Sequence, residues 1–258
     1  MHAFWNLLIA RARDVEAATA VVLAVSIVLY APVAAFTWDV ERAVWPYAVA
    51  SAALELAYVV LLAAAYRRAD LSVVYPVARG VAPVLVLVAG IAVLGSPTSA
   101  GEVAGVLLVA VGVLLVRGFR RGTGPGVPMG LAIACTIAAY TLVDSRGIEH
   151  ADPFGYLMLV MAAPAVVYLT GVLAIRGVEP VRRQLTLPTL LAGAASLGAY
   201  ALALAALELA SAASVAAVRE TSVVIAVALA APVLRERVGA RRLAGAVVVA
   251  SGVALLSL

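Results

Sequence analysis

Four ionisable side chains stand inside apolar runs where a charge is expensive. Arg79 and Arg219 each lie about eight residues into a long apolar segment, Glu220 directly follows Arg219, and Glu55 sits alone in another run. An arginine at the centre of a membrane helix costs ~2.5–3.5 kcal/mol on insertion scales, so it needs an inward face and a partner. Two chemistries stay open for the arginines. They line a central cavity and attract a carboxylate or phosphate, or they form a structural ion pair with Glu220 or Glu55 as the partner. Glu55, with Tyr58 one turn on along the same side, is a candidate for proton coupling, since a carboxyl group sheltered from water can exchange a proton. Its alternative role is counter-ion to Arg79, and Glu220 is second in line for the coupling role. Tyr75, Tyr140, Tyr200, Trp5, Asn6 and Thr221 complete the polar and aromatic groups at candidate substrate-binding positions, where interface anchoring or packing is the competing explanation for each.

The elements that must hold these groups are written twice. Residues 71–116 and 211–256 align without a gap at an offset of 140 positions, which carries Arg79 onto Arg219, Leu94 onto Leu234, Gly105 onto Gly245 and Gly112 onto Gly252. Each copy is an apolar segment bearing one arginine, a polar turn, and a second apolar segment with glycines seven apart. Such glycines share a helix face and suit close helix packing. The most polar break, RGFRRGTGPG, clusters charge, Gly and Pro as linkers do. It divides the chain into a first repeat at 1–116, a linker at 117–126 and a second repeat at 127–258.

Composition assigns the solvent. With 65% hydrophobic and 12% charged residues and a mean hydropathy of +1.11, the chain cannot coat a water-soluble globule. Apolar segments near the ~20 residues that cross ~30 Å of hydrocarbon recur along its length. The spans expected are 15–36, 47–66, 71–94, 103–116, 127–143, 154–175, 188–207, 211–234 and 243–258, with residues 1–10 as the end of a truncated first helix. The fold class is therefore an all-α integral membrane protein of two repeats of about five helices. An odd number of crossings per repeat makes the second copy enter the membrane upside down, the inverted arrangement of alternating-access carriers with a midplane site.

Pro76, Gly80 and Pro83 interrupt the helix that bears Arg79, and each proline leaves unpaired the carbonyl four residues earlier. A kinked, cavity-lining helix is expected there. The second copy has Val223 in place of Pro83, so the kink is not expected to be shared.

Enzyme chemistry finds little support. The two histidines, His2 and His150, are far from each other and from Cys135, and no phosphate-loop, dinucleotide or zinc-protease pattern occurs. Cys135, the single cysteine, excludes an internal disulfide and is expected to serve packing. No cofactor and no metal are expected. The basic balance of +4 reflects loop arginines, so nucleic acid is not an expected partner. The lipid bilayer and a small-molecule substrate are, and a homodimer is among the assemblies left open. A channel-like or structural membrane subunit is the alternative to a carrier.

YPVARGVAP followed by VAGVLLVAVGVLL, and VRETSVV followed by VLRERVGARRLAGAVVVASGVALL, resemble the EamA family of the drug/metabolite transporter superfamily, as do HAFWNLLIARARD and AYRRADLSVVYPVARG. The resemblance implies a ten-helix, two-repeat carrier or exporter of small metabolites in the bacterial inner membrane, working without ATP. Two features depart from the family pattern: the short first helix, and the turn LGSPTSAGE, which has Ser96 and Pro97 where the family has Glu-Arg.

Of the eighteen basic residues, all arginine, fourteen fall in loops on one side and only Arg42 and Arg146 in loops on the other, beside Asp39, Glu41, Asp144, Glu149 and Asp152. The positive-inside rule puts the fourteen in the cytoplasm and both termini outside, the reverse of the common picture for the resembled family. A reporter active only in the cytoplasm, fused to Leu258, is expected to be silent; activity there would overturn the assignment.

Overall fold

The computed structural model describes residues 14–69, 71–117, 125–230 and 239–256. Among them the chain is helical: α1 (Val15–Thr37), α2 (Trp45–Arg68), α3 (Leu71–Leu94), α4 (Ala100–Arg117), α5 (Gly126–Gly147), α6 (Pro153–Arg176), the short α7 (Val178–Arg183), α8 (Leu187–Leu207), α9 (Ala212–Arg219), α10 (Thr221–Ala230) and α11 (Ala240–Leu256). The β structure among these residues is a single antiparallel bridge, Val40 to Ala151. Six helical stretches, 15–37, 42–62, 73–94, 126–150, 153–176 and 187–207, are long and apolar enough to cross a membrane, and Ala100–Val116 is a shorter apolar helix.

Local chemistry sets several of the helix ends. Asp14 caps α1 by accepting from the Ala17 N–H at 3.1 Å. Asp152 caps α6 by accepting from the N–H groups of Phe154 and Gly155, with Pro153 in the first turn, where its missing donor costs nothing. Ser211 caps α9 through the Ser214 N–H. Gly95 ends α3 at φ +61, a left-handed conformation suited to glycine. That turn also bonds the Ser96 N–H back to the Gly90 carbonyl.

The chain divides into two compact units, each built from segments on both sides of the linker. The first holds residues up to Leu56 together with Val143–Leu209, the second Ala57–Leu142 together with Ala210–Leu258. In the first unit α1 lies antiparallel to α6. Arg176, at the end of α6, pairs with Asp14 and Glu16 at 3.5 and 2.5 Å, while Thr37, at the end of α1, donates to Asp152 at 2.8 Å. The apolar centre of this unit gathers Val44, Ala48, Tyr156, Leu157, Val160, Leu197 and Leu204.

In the second unit α4 and α11 pack side by side along their lengths, and glycine makes this possible. A Cβ on Gly105 would lie 3.0 Å from the Gly252 carbonyl oxygen. One on Gly112 would lie 2.9 Å from that of Gly245, and one on Gly245 2.6 Å from the Val116 nitrogen. Contacts of 105 with 252 and of 112 with 245 run in opposite directions along the two helices, so the pair is antiparallel. Val106, Val109, Val113, Val223, Val227 and Val249 close the core around the seam.

Three expectations need correcting. α3 runs as one helix from Leu71 to Leu94 through both prolines, so the chain is not interrupted there. The interruption falls in the second copy instead, where Glu220 lies at φ −75, ψ −4 and its N–H turns back to the carbonyls of Ala217 and Val218. A tightened turn therefore separates α9 from α10 where one span was expected. Cys135 is exposed, not packed inside. Residues 1–13, 118–124 and 231–238, where the expected first helix, most of the linker and most of LRERVGA fall, lie outside the described residues.

The seam predicts a selective stability effect. Gly245→Val is expected to lower stability by roughly 1–3 kcal/mol, as overpacking does. Gly171→Ala, at a position with nothing within 4 Å of the added carbon, is expected to be neutral or slightly stabilising, and thermal unfolding of the purified protein in detergent compares the two.

Candidate functional site

Two polar clusters stand inside the apolar helices, one in each unit. In the second unit α3 carries Arg79, with its side chain only 7% exposed, and its guanidinium Nη1 meets Glu220 Oε1 at 3.3 Å. Tyr75, one turn earlier on α3, lies beneath the guanidinium with 5.6 Å from its carbon to the ring centroid, within cation–π range. Glu220 is at the turn between α9 and α10 and is 3% exposed. Arg219, the last residue of α9, is half-buried. The Thr221 hydroxyl donates to the Val218 carbonyl at 2.8 Å, which spends it on the local turn. Tyr58 and Tyr140 meet edge to face at 6.1 Å between centroids, and both rings lie within electrostatic range of Arg79.

Isolated, either charge would be costly in this setting; together they supply each other's counter-charge. The ion-pair possibility raised for Arg79 thus has Glu220 as an acid partner. The break in the second copy falls at the residue that meets the arginine of the first.

In the first unit a carboxylate that sequence reasoning assigned to a loop is at the centre. Asp144 lies within α5, which continues to Gly147, and is 1% exposed. Its Oδ1 accepts from the Ser51 hydroxyl at 2.5 Å and the Tyr156 hydroxyl at 3.0 Å, and its Oδ2 accepts from the Tyr200 hydroxyl at 2.6 Å. These three donors arrive on α2, α6 and α8. Gly147 makes room for one of them, because a Cβ there would collide with the Tyr156 ring. Glu55, one turn beyond Ser51 on α2, is 7% exposed and within electrostatic range of Tyr156.

Of the residues singled out from sequence, the second unit brings Arg79, Glu220 and Tyr75 into contact and Tyr58 against Tyr140, with Arg219 and Thr221 flanking Glu220. The first unit holds Tyr200 and Glu55. Trp5 and Asn6 lie outside the described residues. The residues missed were Asp144, Ser51 and Tyr156. A signal for Asp144 existed in the apolar run IACTIAAYTLVD, whose helical spacing continues to the aspartate. It was masked by the Arg, Gly, Glu and His that follow. Among the described residues no group of three or more His, Cys, Asp or Glu is placed to hold a metal ion.

Arg79→Gln is expected to destabilise by about 3–5 kcal/mol, because it strands a buried carboxylate. Adding Glu220→Gln should restore much of the loss, and a double-mutant cycle on detergent unfolding measures the coupling; additive losses would mean that the pair contributes nothing.

No curated protein matches the chain. A solved crystal structure superposes on 99% of this chain and 92% of its own at a TM-score of 0.79 and 15% identity, a likeness of fold alone. The model of the EamA-like transporter family matches residues 124–258, the linker's end and the whole second copy. This multi-pass membrane chain belongs to the EamA-like transporter family.

Proposed function

We propose that the protein is a secondary carrier of small metabolites, working by alternating access between two inverted repeats in the bacterial inner membrane, with an anionic or amino-acid-like substrate. Membership of the family makes it a membrane transporter of the drug/metabolite superfamily; substrate and cycle are the proposal. The observation that carries it is the buried pair of Arg79 and Glu220, one residue from each sequence copy, at the break between two helices. Discontinuous helices with charged partners are what carriers use to bind and release solutes at membrane depth. In the proposed cycle a substrate carboxylate replaces the Glu220 carboxylate on Arg79, and Tyr75, Tyr58 and Tyr140 supply aromatic faces for the rest of the solute.

Inversion has its own support in the second unit. The contacts 105 with 252 and 112 with 245 exchange with each other under the 140-residue offset, as a twofold relation between antiparallel copies requires. Glu55 keeps its two proposed roles, proton coupling or counter-ion to Arg79.

The test is uptake of radiolabelled amino acids and organic acids into proteoliposomes. Saturable flux of a carboxylate-bearing solute is expected, falling at least tenfold in Arg219→Gln and in the Arg79→Gln, Glu220→Gln double variant while both remain monodisperse. Flux that rises linearly with concentration would mark a channel-like subunit instead, and unaltered uptake in both variants would remove the arginines from the pathway.

A further inference from the structure

We infer that α7 and its flanking turns form a docking site for an anionic phospholipid, whose phosphate is held by Arg182 and Arg183. Connectivity places the segment. α6 and α8 are both long and apolar enough to cross a membrane, so the residues between them stay at the surface where one helix leaves and the next enters. Gly177, at φ +78, turns the chain out of α6. α7 packs against α1 and α6, with Pro180 and Val181 half-buried, while Val178, Glu179, Arg182 and Arg183 stay exposed.

Apolar side chains flank the cations. Ile175 is 83% exposed, Val178 68%, Leu185 58% and Leu187 68%. At the boundary between headgroups and hydrocarbon such side chains sit among acyl chains, and an arginine between them lays its stem on apolar surface while its guanidinium reaches the phosphates.

Charge selects the lipid. Arg176 already meets two carboxylates, those of Asp14 and Glu16. Arg182 and Arg183 share one, with their Nε atoms 3.4 and 3.0 Å from the two oxygens of Glu179. Two cations against one anion leave a surplus of one positive charge. Because Glu179 takes each guanidinium by Nε, the Nη groups of both forks remain open to a further acceptor, and nothing else among the described residues bonds them. Paired phosphate oxygens fit such forks. The end of α7 offers little opposition to an anion, since the carbonyls of Val181, Arg182 and Gln184 accept the N–H groups of Gln184, Leu185 and Thr186. A zwitterionic lipid brings its own ammonium to compete for the phosphate; an anionic lipid does not. The inference is independent of the carrier reading, because binding is read without flux.

Site-directed quenching tests it. The full chain carrying Cys135→Ser and Gln184→Cys, labelled with bimane, is placed in equimolar phosphatidylglycerol and phosphatidylcholine liposomes with one lipid or the other brominated. One surplus charge predicts that phosphatidylglycerol associates about fivefold more strongly than phosphatidylcholine at about 0.15 M salt. Arg183→Gln alone is expected to bring the ratio to about one, and Arg182→Gln with Arg183→Gln to take it below one. Arg42→Gln, on the connection between α1 and α2, should leave it unchanged. All four side chains at issue are exposed; if the double variant is not monodisperse, Arg183→Gln decides alone. A ratio near one in the unsubstituted α7, a ratio unmoved by Arg183→Gln, or an equal loss in Arg42→Gln, which would mark diffuse attraction to total charge, overturns the proposal. Relief of quenching by soluble glycerol phosphate would give the site to a free anion and overturn it equally.

Discussion

Hydrocarbon offers no hydrogen bonds and no counter-charge, so every polar group carried into it must be satisfied by the protein itself. That constraint explains the distribution of the chain's few buried polar side chains. Arg79 meets Glu220 over the face of Tyr75. Asp144 receives hydroxyls from three other helices. Ser26 and Tyr30 take backbone carbonyls of α8 as acceptors. In each case a polar side chain ties together elements that apolar contact alone would leave free to slide, which gives specificity to helices that are otherwise runs of Ala, Val and Leu.

Close packing supplies the rest. In lipid, apolar surface gains little by leaving its surroundings, so helices associate through shape, and small residues let backbones approach. The α4–α11 seam depends on this, with four glycines placed where any larger residue would strike the facing backbone. The rigid seam and the polar pair lie in the same compact unit. On the proposed reading, one is a fixed axis of the duplicated fold and the other the part that exchanges partners during transport.

Much of this was legible in the sequence because apolar length and repetition are strong signals. The 140-residue offset, the family, the positions of most spans and the packing role of the glycines were readable directly. Glu220 was one of two acids that the sequence offered to Arg79, and only coordinates bring its carboxylate to the guanidinium. Proline is a strong helix breaker in isolation, yet α3 passes through Pro76 and Pro83 while the second copy turns at Glu220, where no residue type announces it. Asp144 was hidden because DSRGIEH looks like a loop by composition, although its first four residues extend a helix before the turn. Its donors, Ser51, Tyr156 and Tyr200, are spread over about 150 positions, a convergence that spacing along the chain does not encode.

The central claim is that the second copy is inverted relative to the first, and Arg42 and Arg182 report on it directly. They are equivalent under the offset and both exposed, so a thiol placed at each reports which face of the membrane that site occupies in its own copy. With Cys135 replaced by serine, Arg42→Cys and Arg182→Cys are each treated in intact cells with a membrane-impermeant thiol reagent. Inversion predicts that Arg42→Cys reacts from outside and Arg182→Cys only after the membrane is permeabilised; reaction of both from the same side would contradict it.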